Sequence, residues 1–176
     1  MEGQLILNTT NNQSISIIVQ TRKGKGSEIR NAQTINNLSM FDLSCADNYK
    51  RMHNFATPRT GPCGYYNCHG LTFASRRTRI TESDDIMRIL MEDNYKEIKK
   101  QDVKPGDIAI YFNEGDPRHS GIVVSVPIDN NYAQICVVSK WGNGHEYFHA
   151  LNDCPYVPCD SINFYRVQSV HHGDII

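Results

Sequence analysis

From Val103 onward the chain repeats one pattern, a short apolar run followed by a turn. Val103-Lys104-Pro105-Gly106-Asp107 is a turn that feeds Ile108-Ala109-Ile110-Tyr111-Phe112, a nearly continuous apolar run. Residues 113–118 read as a loop, and residues 119–126 as a second strand. Residues 133–140, 145–149 and 161–167 follow as further strands, parted by Pro, Asn and Gly turns. Runs of this length, bounded by turn residues and spaced closely, read as adjacent antiparallel strands.

The first half is different. Residues 4–7 and 14–20 read as a strand pair, residues 21–40 as loop with one helical turn, and residues 41–64 as irregular chain. Thr57-Pro58-Arg59-Thr60-Gly61-Pro62 stops any helix and leads into Tyr65-Tyr66-Asn67-Cys68-His69-Gly70-Leu71-Thr72-Phe73-Ala74. Asn67 predicts an N-cap, with a helix running to about Thr78. A second helix is signalled by Thr81 or Ser83 as cap, by the acids Glu82, Asp84 and Asp85, and by Ile86, Met87, Ile89 and Leu90 at helical spacing; it ends near Asn94. Helices followed by a run of strands predict an α+β fold.

With 176 residues, one compact domain is expected: an N-terminal extension over 1–60 joined to a core over 61–176. The net charge of -1 gives no whole-protein pull toward nucleic acid or an anionic membrane. The basic run Arg22-Lys23-Gly24-Lys25 is short and reads as a solvated hairpin tip. No apolar run approaches a membrane span, and residues 1–4 lack the basic segment and apolar stretch of a secretory leader. The expectation is a cytoplasmic protein, or one exported without such a leader. Its six cysteines are then expected to be reduced.

Cys68 falls in the first turn of the predicted helix. Backbone N–H groups there lack intrahelical acceptors and carry partial positive charge. That field favours thiolate, the nucleophilic form. Cys136, inside an apolar run, reads instead as a small buried hydrophobe. His119 opens a strand 51 residues after Cys68, and Ser120 and Gly121 beside it allow another element to approach closely. A cysteine on a helix start and a histidine on a strand supply nucleophile and base.

The Asn67-Cys68-His69-Gly70 helix start, the Pro105-Gly106-Asp107 turn and strand, and His119-Ser120-Gly121-Ile122-Val123 together resemble the papain-like cysteine hydrolases of the NlpC-type peptidase and CHAP amidase families. The resemblance covers roughly residues 61–140. It implies N-terminal helices packed on a small antiparallel sheet, Cys68 as nucleophile and His119 as general base and acid. It also implies a peptide or amide substrate, peptidoglycan stem peptides among them, and no cofactor or metal. An effector or toxin fits the absence of wall-binding repeats. Deamidation or transglutamination uses the same dyad.

His69 stands where the families carry a small residue, and either shapes the site or faces solvent. The residue that orients the histidine is left open among Ser139, Lys140 and His149. Tyr66 is the candidate second oxyanion donor, and Trp141 either lines a cleft or plugs the core. Two rival readings stand beside the hydrolase. One is a zinc module drawing on Cys63, Cys68, His69, His145, His149, Cys154 and Cys159, although four residues separate the thiols of each cysteine pair, at the wide end for structural zinc. The other is a binding domain without catalysis.

Overall fold

The computed structural model describes residues 14–15, 17–34, 37–127 and 134–169. The expected strand at residues 4–7, the start of the strand at 133 and the tail histidines 171 and 172 lie outside them. Ten strands and three α-helices are formed among the described residues: β1 (Ser14–Ile15), β2 (Asn31–Thr34), α1 (Met40–Met52), β3 (Thr57–Pro58), α2 (Cys68–Ala74), β4 (Arg79–Ile80), α3 (Ser83–Glu92), β5 (Tyr95–Ile98), β6 (Ile108–Asn113), β7 (Asp116–Ser125), β8 (Cys136–Lys140), β9 (Glu146–Ala150) and β10 (Ser161–Val167).

Seven strands make one antiparallel sheet in the order β3-β9-β8-β7-β6-β10-β5. A second sheet has the order β1-β2-β4. The expected α+β, papain-like arrangement of N-terminal helices on a small sheet is therefore corrected. The molecule is mostly β, and its main sheet is large.

Strand β6 shows why. Ile108, Ala109, Ile110 and Tyr111 are all buried, so both faces of the sheet are covered. On one face Ile108 and Ile110 join Ile80, Ile86, Ile89 and Leu90 from the β4–α3 region. On the other, Ala109 and Tyr111 join Val123, Val137, Trp141, Tyr147 and Phe164, with Tyr49 of α1 and Tyr156 packed against them. A strand buried on both faces reads as an unbroken apolar run rather than an alternating one.

Several boundaries move. Residues 41–64 were expected to be irregular, but residues 40–52 are helical. Ser39 caps α1 by accepting from Asp42 N–H at 3.1 Å, and Asp42 accepts from Ser39 N–H at 3.0 Å. That reciprocal box was readable as Ser39-x-x-Asp42. The apolar period that should have accompanied it is missing, because α1 buries only Ala46 and leaves Met40 and Phe41 exposed. The extended residue before α3 is Glu82, and no side chain caps that helix. The expected loop at 113–118 is a two-residue turn: Glu114 and Gly115 both have positive φ, which suits the twist of a tight hairpin, so β7 starts at Asp116.

Candidate active site

Asn67 anchors the start of α2. Its Oδ1 accepts from Gly70 N–H at 2.9 Å and from Ile80 N–H at 3.1 Å, and its Nδ2 donates to Ile80 C=O at 2.6 Å. One side chain thus caps the helix and ties it to β4. Gly70 lets the two come close: a Cβ there would lie 1.8 Å from the Thr78 carbonyl oxygen. Cys68 is held between these two fixed residues, and only 6% of its surface is exposed.

Strand alternation puts His119 and Ser120 on opposite faces of β7. Ser120 faces α2, where its Oγ lies 2.9 Å from His69 Nδ1 and 2.9 Å from Thr72 Oγ1. His119 faces the other core, against Tyr111. Cys68 nonetheless interacts with both histidines. The sheet is open at this point, because β8 pairs with β7 only from Gly121↔Ser139 onward. Residues 117–120 of β7 have no β8 neighbour, and the start of α2 fits that gap.

Burial alone would raise the Cys68 thiol pKa. The charges of His69 and His119, with hydrogen-bonding contact to both rings, outweigh it and hold the thiol well below its ordinary value. The two imidazoles respond differently. Burial pushes His119 down against the pull of Cys68, so its neutral form is favoured. Burial also opposes a charge on His69, but there the attraction of Cys68 prevails and its pKa is raised.

Proton counting supports a charged His69. Its Nε2 lies 3.1 Å from Pro117 C=O, its Nδ1 2.9 Å from Ser120 Oγ, Ser120 Oγ 2.9 Å from Thr72 Oγ1, and Thr72 Oγ1 2.9 Å from Cys68 C=O. These are four contacts, and both ends are carbonyls that only accept. A neutral imidazole with two hydroxyls brings three protons, whereas an imidazolium brings four. Only the cation fills every contact.

His119 has no such network. Both ring nitrogens are fully buried and without a well-formed hydrogen-bond partner among the described residues. Its plane is instead set by Tyr156, stacked on it at 3.9 Å between centroids with 7° between the rings.

The residues expected to orient His119 are engaged elsewhere. Ser139 Oγ lies 2.7 Å from His149 Nε2 and accepts from Trp141 Nε1 at 3.0 Å. His149 Nδ1 donates to Ala150 C=O, and burial holds its pKa down to about 4. Lys140 is fully buried and donates to the carbonyls of Cys63 and Gly144, and burial lowers its pKa. Trp141 is fully buried and stacks on Tyr147 at 3.8 Å. Tyr66 donates its hydroxyl proton to Glu146 at 2.6 Å, and Glu146 also takes the Arg76 guanidinium at 2.5 and 3.0 Å. The candidate zinc ligands gather into no cluster of three or more among the described residues.

Sequence reasoning missed Tyr156, Ser120 and Glu146 as participants. Ser120 was visible as the residue after His119. Nothing in the spacing marks Tyr156, which arrives from the loop after β9.

A cleft of about 260 Å³ opens onto Cys68, with Asn67, His69, Pro117, Gly142 and Tyr156 in its wall. Larger cavities occur elsewhere: one of about 570 Å³ beside β5 and β10 is lined by no cysteine, and two of about 340 and 430 Å³ are lined by Cys159, whose thiol pKa burial raises rather than lowers. Comparison with protein-family models, curated proteins and solved structures finds no match to this chain. No helix among the described residues is long and apolar enough to cross a membrane.

Proposed function

We propose that this protein is a cysteine hydrolase acting on amide bonds, with Cys68 as nucleophile and His119 as base. One observation carries the reading: a nearly buried thiol, held well below its usual pKa by two imidazoles, at the wall of a cleft. Structural cysteines lack such surroundings. The motif order Asn67-Cys68-His69-Gly70, then Pro105-Gly106-Asp107, then His119-Ser120-Gly121 adds its resemblance to NlpC-type and CHAP enzymes.

The chemistry is acyl transfer. The Cys68 thiolate adds to the carbonyl carbon, and the oxygen takes the negative charge. First-turn backbone N–H groups of α2, which lack intrahelical acceptors, are the donors nearest to hand. The tetrahedral adduct collapses, the C–N bond breaks, and the amine leaves with a proton from the imidazolium. Water then attacks the thioester while neutral His119 takes its proton, releasing the acid and the free thiol. An acceptor amine in place of water gives transamidation, and a glutamine side chain as substrate gives deamidation.

The test is a burst experiment with p-nitrophenyl acetate. The expected result is a rapid release of one nitrophenolate per chain, an acetyl adduct located on Cys68 by mass spectrometry, and no burst in Cys68→Ala. His119→Ala is expected to slow deacylation by about 10²-fold. A burst that survives in Cys68→Ala overturns the assignment.

A further inference from the structure

Resting on that reading, we infer that the Cys68 cleft takes an amide substrate bearing a carboxylate, which Arg79 binds. The cleft wall carries two formal charges besides the Cys68–His69 pair, Arg79 and Arg118, and neither Asp nor Glu lines it. Arg118 is mostly exposed and sits 3.4 Å from Asp116, itself half-exposed.

Arg79 is the more informative residue. It lies on β4, half-buried, one residue before the fully buried Ile80. Other arginines near the core are tied to carboxylates: Arg76 to Glu146, Arg30 and Arg88 to Asp85, and Arg166 to Asp107. Among the described residues no carboxylate oxygen lies within 4.0 Å of the Arg79 guanidinium. A partly desolvated guanidinium has five donors in a planar fork that matches a carboxylate. Asn67 fixes β4 to α2, so Arg79 and Cys68 sit on one rigid unit. That rigidity gives a bound carboxylate a set distance from the attacking sulfur.

Asp42 is the acid whose charge Arg79 influences, yet its carboxylate is engaged by Ser39 and Asn143. Arg79 therefore lines the cleft with no ion pair to a carboxylate among the described residues. The cleft continues past Arg118 and Tyr156 into a second depression lined by Asn113, Pro155 and Cys159, which holds no formal charge beyond Arg118 and suits the rest of a peptide.

The experiment compares two alkylating agents of equal length and reactivity, N-iodoacetylglycine and its neutral analogue N-iodoacetylglycinamide. Their rates at Cys68 are read by mass spectrometry near pH 6, with Cys136 as internal control. A thiolate in open water favours the neutral reagent. The wild-type protein is expected to favour the acid about tenfold at low salt, with the preference fading as ionic strength rises. Arg79→Gln is expected to bring the ratio to one or below, and Arg79→Lys to restore part of it. Rapid modification by the amide without preference for the acid overturns the carboxylate site and leaves the reactive thiol standing. Modification of Cys68 no faster than Cys136 by either reagent overturns both. The wild-type ratio is decisive even if Arg79→Gln folds poorly.

Discussion

The Cys68 thiol has two imidazoles to share its proton with, and they are not equivalent. His69 is held by acceptors at Pro117 and Ser120 that a cation satisfies best. His119 lies buried in a stack against Tyr156, where a cation finds no acceptor among the described residues beyond its contact with Cys68. On the proposed mechanism His69 is then the resting counter-charge and His119 the base that stays neutral. His69→Gln removes the counter-charge and is expected to raise the inflection in the pH profile of iodoacetamide labelling at Cys68 by about one unit or more. His119→Ala is expected to cut acyl turnover more than it moves that inflection. An inflection unmoved in His69→Gln refutes the division of roles. The position of Cys68 at the start of α2 was legible from its cap Asn67, whereas His119, marked by the small residues Ser120 and Gly121 after it, lies three residues inside β7 rather than at its start. Which histidine carries the charge was not legible, since it depends on Ser120 and Thr72 meeting across two elements.

At the scale of elements, α2 is positioned by its contact with β4 more than by its own seven residues. Asn67 supplies two hydrogen bonds across that junction, both to Ile80, and a third that caps α2 at Gly70, which supplies the clearance. Gly70→Ala forces a methyl group into the Thr78 carbonyl, so the helix must shift away from β4. The expected cost is about 1–3 kcal/mol in urea unfolding, with slower alkylation of Cys68 near pH 6 because the thiol leaves its gap in the sheet. Gly61→Ala, where a Cβ meets nothing within 4 Å, is the control and is expected to change neither. Equal behaviour of the two variants rules out the junction as the positioning device. The sequence announced α2 through its cap and announced β6, β8, β9 and β10 through apolar runs and turns. It did not announce β3, β4 or β5. Thr57–Pro58 and Arg79–Ile80 are two-residue strands, and Tyr95–Ile98 is a polar edge strand with both middle residues exposed. Such segments acquire their structure from a neighbour's unpaired edge, a tertiary cause that local pattern does not record.

At the scale of the molecule, the run of strands after Val103 was the correct signal and the size of the sheet was the error. Strands β3 and β5, from the half read as loops and helices, extend the C-terminal strands to seven. The core on the Tyr111 face then closes around Trp141, which stacks on Tyr147 and meets His149 edge-on at 5.3 Å. Ser139 bridges the Trp141 indole and His149, so that histidine sits in the core as an uncharged ring. This has a consequence for stability. His149 is held to a pKa of about 4 when folded, against 6.5 ordinarily. As pH falls below the ordinary value the unfolded chain takes up a proton that the folded one refuses, so stability drops with falling pH. The loss runs from about pH 6.5 to about pH 4 and levels off below it, with a size of about 3 kcal/mol from this group. His119, also lowered, adds in the same sense, and His69, raised, opposes it. The His149 share is isolated by subtraction. Urea midpoints followed by the emission of Trp141, the only tryptophan, are expected to fall between pH 7 and pH 4. They are expected to fall less steeply in His149→Gln, which has no proton to gain. Parallel pH dependence in the two proteins means that His149 is not held neutral by the fold.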